Sequence, residues 1–243
     1  MRTTYLFPCS ALILLTAAAL AQSGPAAPSG PALDLQPWHY QLSMQGGAGV
    51  GDRSAFHFLS AGFQIGKVLT DPGGPGLLRG QFEYAIEVDP YWQAFTPAPH
   101  LQTVHYKVNG VPMTAVVPYA GGTFSGASVT PIILRWHFRP RASTLTSASS
   151  SSRFVPSVQG AGGLIWTNHK FPPDAVVPHG YPGGASVFNF TPQFGIGFDY
   201  FLKPHRSISF AANAVHISSA SLGDRNPGVN ASVQFQLGYS WWK

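Results

Sequence analysis

The sequence predicts an all-β fold, an eight-stranded antiparallel transmembrane β-barrel of the bacterial outer membrane. Three observations carry this expectation. Charged residues make up only 9% of the chain and aromatic residues 13%, whereas a soluble domain carries about 25% charged residues. Beyond the N-terminal segment there is no apolar run of about 18 residues, which excludes spanning helices. From residue 37 to the C-terminus, segments of period-2 alternation recur between turn-rich stretches. Lipid admits only helices and closed barrels, because backbone groups must pair within the protein. A weakly charged, exported chain without spanning helices therefore points to a barrel. A secreted soluble β-sandwich competes with this reading, and the charge deficit argues against it.

The chain opens with Arg2, the apolar run Ala11 to Leu20 and the ending Ala19-Leu20-Ala21. A basic start, a short apolar core and a small-x-small ending make a secretory signal peptide over 1–21, cleaved after Ala21. The run is too short for a transmembrane anchor. The single cysteine, Cys9, precedes the apolar core, where no lipid anchor is attached. The mature chain then has no disulfide and no thiolate metal site. Residues 22–36 are rich in Pro, Ala, Gly and Ser and read as a flexible leader. Residues 37–243 form the barrel domain, with no fixed repeat and no second domain. The net charge of +5 drops by one unit when Arg2 is removed. This mild basic bias suits a phosphorylated glycolipid surface. The scattered basic residues of an exported chain do not suit nucleic acid.

Each strand follows from its alternation. Trp38, Tyr40, Leu42 and Met44 mark the first, and the second covers roughly Ala55 to Val68. The third places Leu78, Gly80, Phe82, Tyr84, Ile86 and Val88 on one face. Its other face carries Arg79, Gln81, Glu83, Ala85 and Glu87. A membrane barrel shows the first face to lipid and keeps the charges in its lumen, with Arg135 on the next strand as a partner for the glutamates. The fourth sets Ile132, Leu134, Trp136 and Phe138 against Arg135 and His137, and the fifth runs from Phe154 to Thr167. The sixth sets Phe188, Phe190, Phe194, Ile196, Phe198 and Tyr200 against Asn189, Thr191, Gln193 and Asp199. The seventh carries Ile208, Phe210, Ala212 and Ala214, and the last runs from Val229 to Trp241. About eight strands make the smallest common barrel, whose interior is filled by side chains and leaves no solute pore. The aromatic ending Tyr239-Ser240-Trp241-Trp242, followed by Lys243, is similar to the C-terminal signal of outer-membrane proteins.

Bacterial barrels keep both termini and their short turns in the periplasm. The outer loops then fall near Gly51–Ser54, Asp89–Ser125, Asn168–Gly184 and Ser219–Pro227. Asn109-Gly110 within the longest of these predicts a protruding hairpin. The Ser-rich stretch from Arg139 to Arg153 falls on the periplasmic side and is long for it.

The chemistry-bearing feature is His216-Ile217-Ser218. Residues two apart on a strand share a face, and this face is that of Ile208, Phe210, Ala212 and Ala214. Two polar residues therefore stand on the lipid-facing side near the outer interface. A serine with a neighbouring base is a candidate nucleophile, given an orienting group for the base and donors for the oxyanion. The plain alternative is that both side chains merely face headgroups.

The stretch His216-Ile217-Ser218-Ser219-Ala220-Ser221-Leu222, then Asn226-Pro227-Gly228-Val229-Asn230, resembles the C-terminal motif of the outer-membrane lipid A 3-O-deacylase family, also labelled acyloxyacyl hydrolase. The resemblance implies an eight-stranded barrel that removes an ester-linked acyl chain from lipid A in the outer leaflet. It implies Ser218 as nucleophile, His216 as base and Asn226 at the oxyanion hole. The family motif has Asn where this chain has Ser219, whose backbone amide can serve the oxyanion hole instead. It places a glutamate fourteen residues after the histidine, where this chain has Asn230. Asp224 is a second candidate for that role. No cofactor is implied, and a homodimer is left open. A barrel of the same shape with a lipid-binding, adhesion or scaffold role is the main alternative.

Other candidates are weaker. His100, His105, His169 and His179 fall in expected outer loops without zinc spacing, and they read as solvated residues, not as a metal site. No Asp-rich calcium loop and no Gly-rich phosphate loop occur.

Overall fold

The computed structural model describes residues 35–139, 153–173, 186–220 and 230–243. The expected signal peptide, nearly all of the leader and the interior of the Ser-rich stretch lie outside the described residues. Ten strands follow in order: β1 (Trp38–Gly49), β2 (His57–Val68), β3 (Gly80–Phe95), β4 (His100–Val108), β5 (Val111–Tyr119), β6 (Thr123–Phe138), β7 (Phe154–Phe171), β8 (Ser186–Lys203), β9 (Arg206–His216) and β10 (Ala231–Trp242). Eight of them close a barrel in the order β1-β10-β9-β8-β7-β6-β3-β2, and β4 and β5 form a separate two-stranded ribbon. Every barrel pair is antiparallel. The closing ladder runs from His39 opposite Trp242 to Gly49 opposite Ser232. One chain closes the barrel by itself, and nothing among the described residues supports the homodimer left open above.

The alternation read from the sequence is the alternation of burial. Leu42, Met44, Ile65, Ile86, Leu134, Ile196, Phe235 and Leu237 are exposed on the outer wall, while His39, Gln41, Ser43, Gln64, Glu83, Arg135, Asn213 and Gln236 are buried inside. A water-soluble sheet would reverse that assignment, so the outer wall is built for lipid.

The strands differ from expectation mainly at their outer ends. The third expected strand loses Leu78 to a single 3-10 turn, Gly76–Leu78, and begins at Gly80. It then continues past Val88 to Phe95, beyond the point where an outer loop was expected. The reason is a register shift between Asp89 and Trp92, which exposes Pro90 and Tyr91 together. One inserted residue exchanges the faces. Lumenal side chains are Glu83, Ala85, Glu87 and Asp89 before the bulge, and Trp92 and Ala94 after it. A second bulge at Pro131, which lacks a ladder donor, does the same in β6. The expected protruding hairpin is β4–β5. Its turn residues Asn109 and Gly110 both have left-handed φ, +50° and +82°, as the two-residue turn requires.

The lumen is layered. At the outer end Phe171 caps it, with ring centroids 5.3 to 6.2 Å from Phe124, Trp92, Phe56 and Phe58. Ile165, Val215 and Ile217 complete this apolar plug. At the other end Trp242 packs on Phe201, Val155 and Leu35. Between the plugs lies a polar belt centred on Glu83, which is 0% exposed. Its Oε1 accepts from Arg135 Nη1 at 2.9 Å, and its Oε2 lies 2.7 Å from His137 Nε2 and 3.5 Å from His39 Nδ1. Gly66 makes room for this cluster, since a Cβ there would overlap the His39 ring and approach Glu83. Glu87 serves a second group, accepting from Ser43, Gln45 and Gln236.

The pairing of Arg135 with Glu83 sets the stability of this belt. Removing one partner of a buried pair strands the other charge and costs about 3–5 kcal/mol. Glu83→Gln is expected to lower the unfolding free energy by about that amount, measured by urea titration of the barrel in lipid vesicles.

Candidate active site

The site is built where β9 runs out at the outer end of the barrel. His216 closes β9, directly opposite Ala231 of β10. The extended backbone continues for two more residues. The Ile217 amide donates to Asn230 O at 2.9 Å, so this residue is held from the β10 side. Ser218 is held from the β8 side, since its amide donates to Phe190 O at 3.0 Å and the Phe190 amide donates back at 2.7 Å. Alternation persists through the segment: His216 and Ser218 are half-buried, while Ile217 and Ser219 are buried. Ile217 is part of the outer apolar plug. The residue between the candidate base and the candidate nucleophile is thus an anchor, and the two polar side chains share the outward face.

That face is apolar around them. Phe188, Phe190 and Phe194 of β8 flank it on one side, with the Phe188 and Phe190 rings edge-on at 5.8 Å. Ala214, Ala231 and Val233 make the opposite flank low. The surroundings match an acyl chain better than a hydrated solute. Ser218 Oγ accepts from the Ala220 amide at 3.1 Å, where Ala220 turns the chain with φ of +50°. Among the described residues no hydrogen bond joins the His216 imidazole to Ser218 Oγ. Side chains two apart on a strand stand about 6.6 Å apart along it, a gap an imidazole crosses by a rotamer change. Catalytic hydrogen bonds commonly tighten only when substrate is bound.

The other expected site residues are placed differently. Asn230 is 2% exposed and has the parity of Ser232 and Gln234, which face the lumen. Its main chain meets the site through the Ile217 amide, but its side chain lies on the other side of the sheet from His216. Among the described residues its Nδ2 has no hydrogen-bond partner. Ser219, 1% exposed, likewise turns its side chain inward, leaving its backbone as the part near Ser218. Asn226 and Asp224 lie outside the described residues. His100 and His105 are on the hairpin, the first bonded to Ala98 O at 2.8 Å and the second to Thr114 Oγ1 at 3.0 Å. His169 is exposed at the end of β7, and His179 lies outside the described residues. Among the described residues no group of three or more side chains is arranged to hold a metal ion.

Sequence reasoning missed Phe190, whose backbone carries Ser218. Pairing register is not written in local alternation, so no local signal marked it. It set His137 beside Arg135 on the lumenal face but not against Glu83, and it missed His39. The parity of His39 with Gln41 was the available signal.

A family model described as "Lipid A 3-O-deacylase (PagL)" matches residues 80–240. No curated protein matches the chain at a significant level. Among solved structures, the outer membrane enzyme PagL aligns at 14% identity over 83% of this chain and 98% of that one, with a TM-score of 0.39. Neisserial surface protein A aligns at 12% identity over 86% and 99%, with a TM-score of 0.47. The N-terminal β-barrel domain of Pseudomonas aeruginosa OprF aligns at 12% identity over 86% and 100%, with a TM-score of 0.40.

The facing of the site is open to a direct check. In the detergent-solubilised barrel, a cysteine introduced by Ser218→Cys is expected to react with a maleimide. One introduced by Ser219→Cys is expected to stay protected until the barrel is unfolded. The labelling rates, followed by mass spectrometry, report which side chain faces out.

Proposed function

The chain belongs to the lipid A 3-O-deacylase (PagL) family, an outer-membrane family of hydrolases, and from that membership and the site geometry we propose that it cleaves an ester-linked acyl chain from lipid A with Ser218 as nucleophile and His216 as general base. The observation that carries this reading is the outward placement of both side chains at the outer end of β9, on a wall that is otherwise apolar. There a glycolipid of the outer leaflet presents its ester at the depth of the site without leaving the membrane.

The mechanism follows from the chemistry of the pair. His216 takes the Ser218 hydroxyl proton as Oγ attacks the ester carbonyl carbon. The tetrahedral intermediate places a negative charge on the former carbonyl oxygen, where backbone amides after Ser218, with Asn226, act as donors. Collapse breaks the ester bond, and the sugar hydroxyl leaves with the proton held by His216. Water then attacks the acyl-enzyme, His216 takes its proton, and the fatty acid departs as Ser218 recovers its hydrogen. No cofactor enters these steps.

Asn230 acts here as a positioning residue. Its carbonyl fixes the Ile217 amide, and through it the spacing of base and nucleophile. An amide side chain provides no carboxylate to stabilise imidazolium, and neutralising that group in a triad costs about four orders of magnitude in rate. The enzyme is therefore expected to be slow. The non-catalytic alternative, a barrel that binds lipid A without turnover, predicts an inert serine.

The test is release of fatty acid from lipid A by the purified barrel, read by mass spectrometry of both products. Ser218→Ala is expected to abolish release and His216→Ala to reduce it by at least about a hundredfold, the typical worth of a positioned base. Equal release by Ser218→Ala and the parent protein would overturn the assignment of Ser218. Asn230→Ala is expected to retain activity, because the carbonyl that accepts from Ile217 survives the change.

A further inference from the structure

The end of the barrel opposite the candidate active site carries a second feature. Lys67, Arg79, Arg153, Lys203, Arg206 and Lys243 all sit at the end where β1 begins and β10 finishes, and Asp71 is the one acid outside the lumen there among the described residues. In a barrel with periplasmic termini, this end lies at the inner leaflet of the outer membrane.

Within that rim lies a cleft of about 850 Å³ lined by Tyr40, Lys203, His205, Arg206, Trp241 and Lys243. The register explains how it forms. Tyr40 pairs with Trp241, Trp241 with Arg206, and Arg206 with Lys203, so these side chains make one row across β1, β10, β9 and β8. Tyr40, Trp241 and Arg206 have the parity of Leu42, Tyr239 and Ile208, so these three face lipid, and Lys203 is exposed beside them at the end of β8. The Arg206 guanidinium carbon stands 5.6 Å from the Trp241 ring centroid. His205 pins the turn between β8 and β9 to β10, its carbonyl accepting from the Trp242 amide and its Nδ1 lying 3.1 Å from Trp242 O. The Lys243 backbone pairs with Trp38, its carbonyl accepting from the Trp38 amide at 2.8 Å and its amide donating to the Trp38 carbonyl at 2.7 Å.

Snorkelling cations and interfacial aromatics are ordinary at a membrane boundary. Here they line one open concavity. We propose that this cleft binds the phosphate of an anionic phospholipid of the inner leaflet. Arg206 presents a planar fork to two phosphate oxygens. Lys203 and Lys243 add point charges, and the Tyr40 hydroxyl is a further donor. The acyl chains of the lipid continue along the exposed wall formed by Leu42, Tyr239 and Ile208. Such a lipid would fix the depth and rotation of the barrel from the side remote from the chemistry. The proposal does not depend on the catalytic reading.

The test uses the full barrel in micelles, with phosphatidylglycerol and phosphatidylcholine of identical chains, and counts retained lipids by native mass spectrometry. Phosphatidylglycerol is expected to be retained preferentially. Lys203→Gln with Arg206→Gln is expected to weaken that preference about twenty-five-fold, about fivefold for each basic residue near an anionic surface. Lys107→Gln, on the remote hairpin, is expected to leave it unchanged. Heat-modifiable mobility on gels establishes that each variant is folded. Independently of any variant, brominated phosphatidylglycerol is expected to quench the parent protein's tryptophan fluorescence more than brominated phosphatidylcholine does. Equal retention and equal quenching by the two lipids would overturn the proposal. So would an equal loss in Lys107→Gln, or displacement of the lipid by inorganic phosphate at matched concentration.

Discussion

The ladder between β1 and β10, from His39 opposite Trp242 to Gly49 opposite Ser232, removes the last free edge of the sheet. In hydrocarbon an unpaired amide or carbonyl has no water to turn to, so a sheet that stayed open could not remain there. Once the sheet is closed, every residue has one of two environments, and parity assigns it. The same rule that buries Gln41 and Ser43 exposes Leu42 and Met44. It also sets His216 and Ser218 on the wall, with Ile217 and Ser219 behind it. The bulges at Pro90–Tyr91 and Pro131 are the places where the rule is reset, and each lets an aromatic or β-branched residue join the outer plug or leave it.

Closure creates a second demand, because the narrow lumen has to be filled. The chain fills it with two apolar plugs and a polar belt between them. The belt is costly in isolation, since Glu83 is fully removed from solvent. Arg135, His137 and His39 answer that carboxylate, and Gly66 leaves the space in which they do so. The outer plug has a further consequence. Ile217 belongs to it, so packing inside the barrel holds the segment whose polar side chains point outside. Interior and exterior are thus mechanically linked at one residue.

Much of this was legible in the sequence. Period-2 alternation identified the eight barrel strands, and Asn109-Gly110 identified the hairpin because that turn needs left-handed residues. The pairing of Glu83 with Arg135 was legible from shared lumenal parity on neighbouring strands. The outward facing of His216 and Ser218 followed from the same count. What local pattern does not encode was missed. The extension of β3 to Phe95 depends on a bulge, which breaks the alternation that would have revealed it. The support of Ser218 by Phe190 depends on register between strands distant in sequence. Asn230 was legible by a different count: its parity with Ser232 and Gln234 assigns it to the lumenal face, which its spacing from His216 does not reveal.

The filled lumen also decides how this protein meets other molecules. Among the described residues, Phe171 packs into one end of the lumen and Trp242 into the other, and the candidate site lies on the outer wall. A molecule that reaches that wall does so by sideways diffusion within a leaflet. The quantity that governs such encounters is a surface density, the fraction of lipids of the right kind around the barrel. Amount per volume of solution has no direct bearing on it. Diluting the membrane with inert lipid would thin those encounters even if every component remained in the same tube.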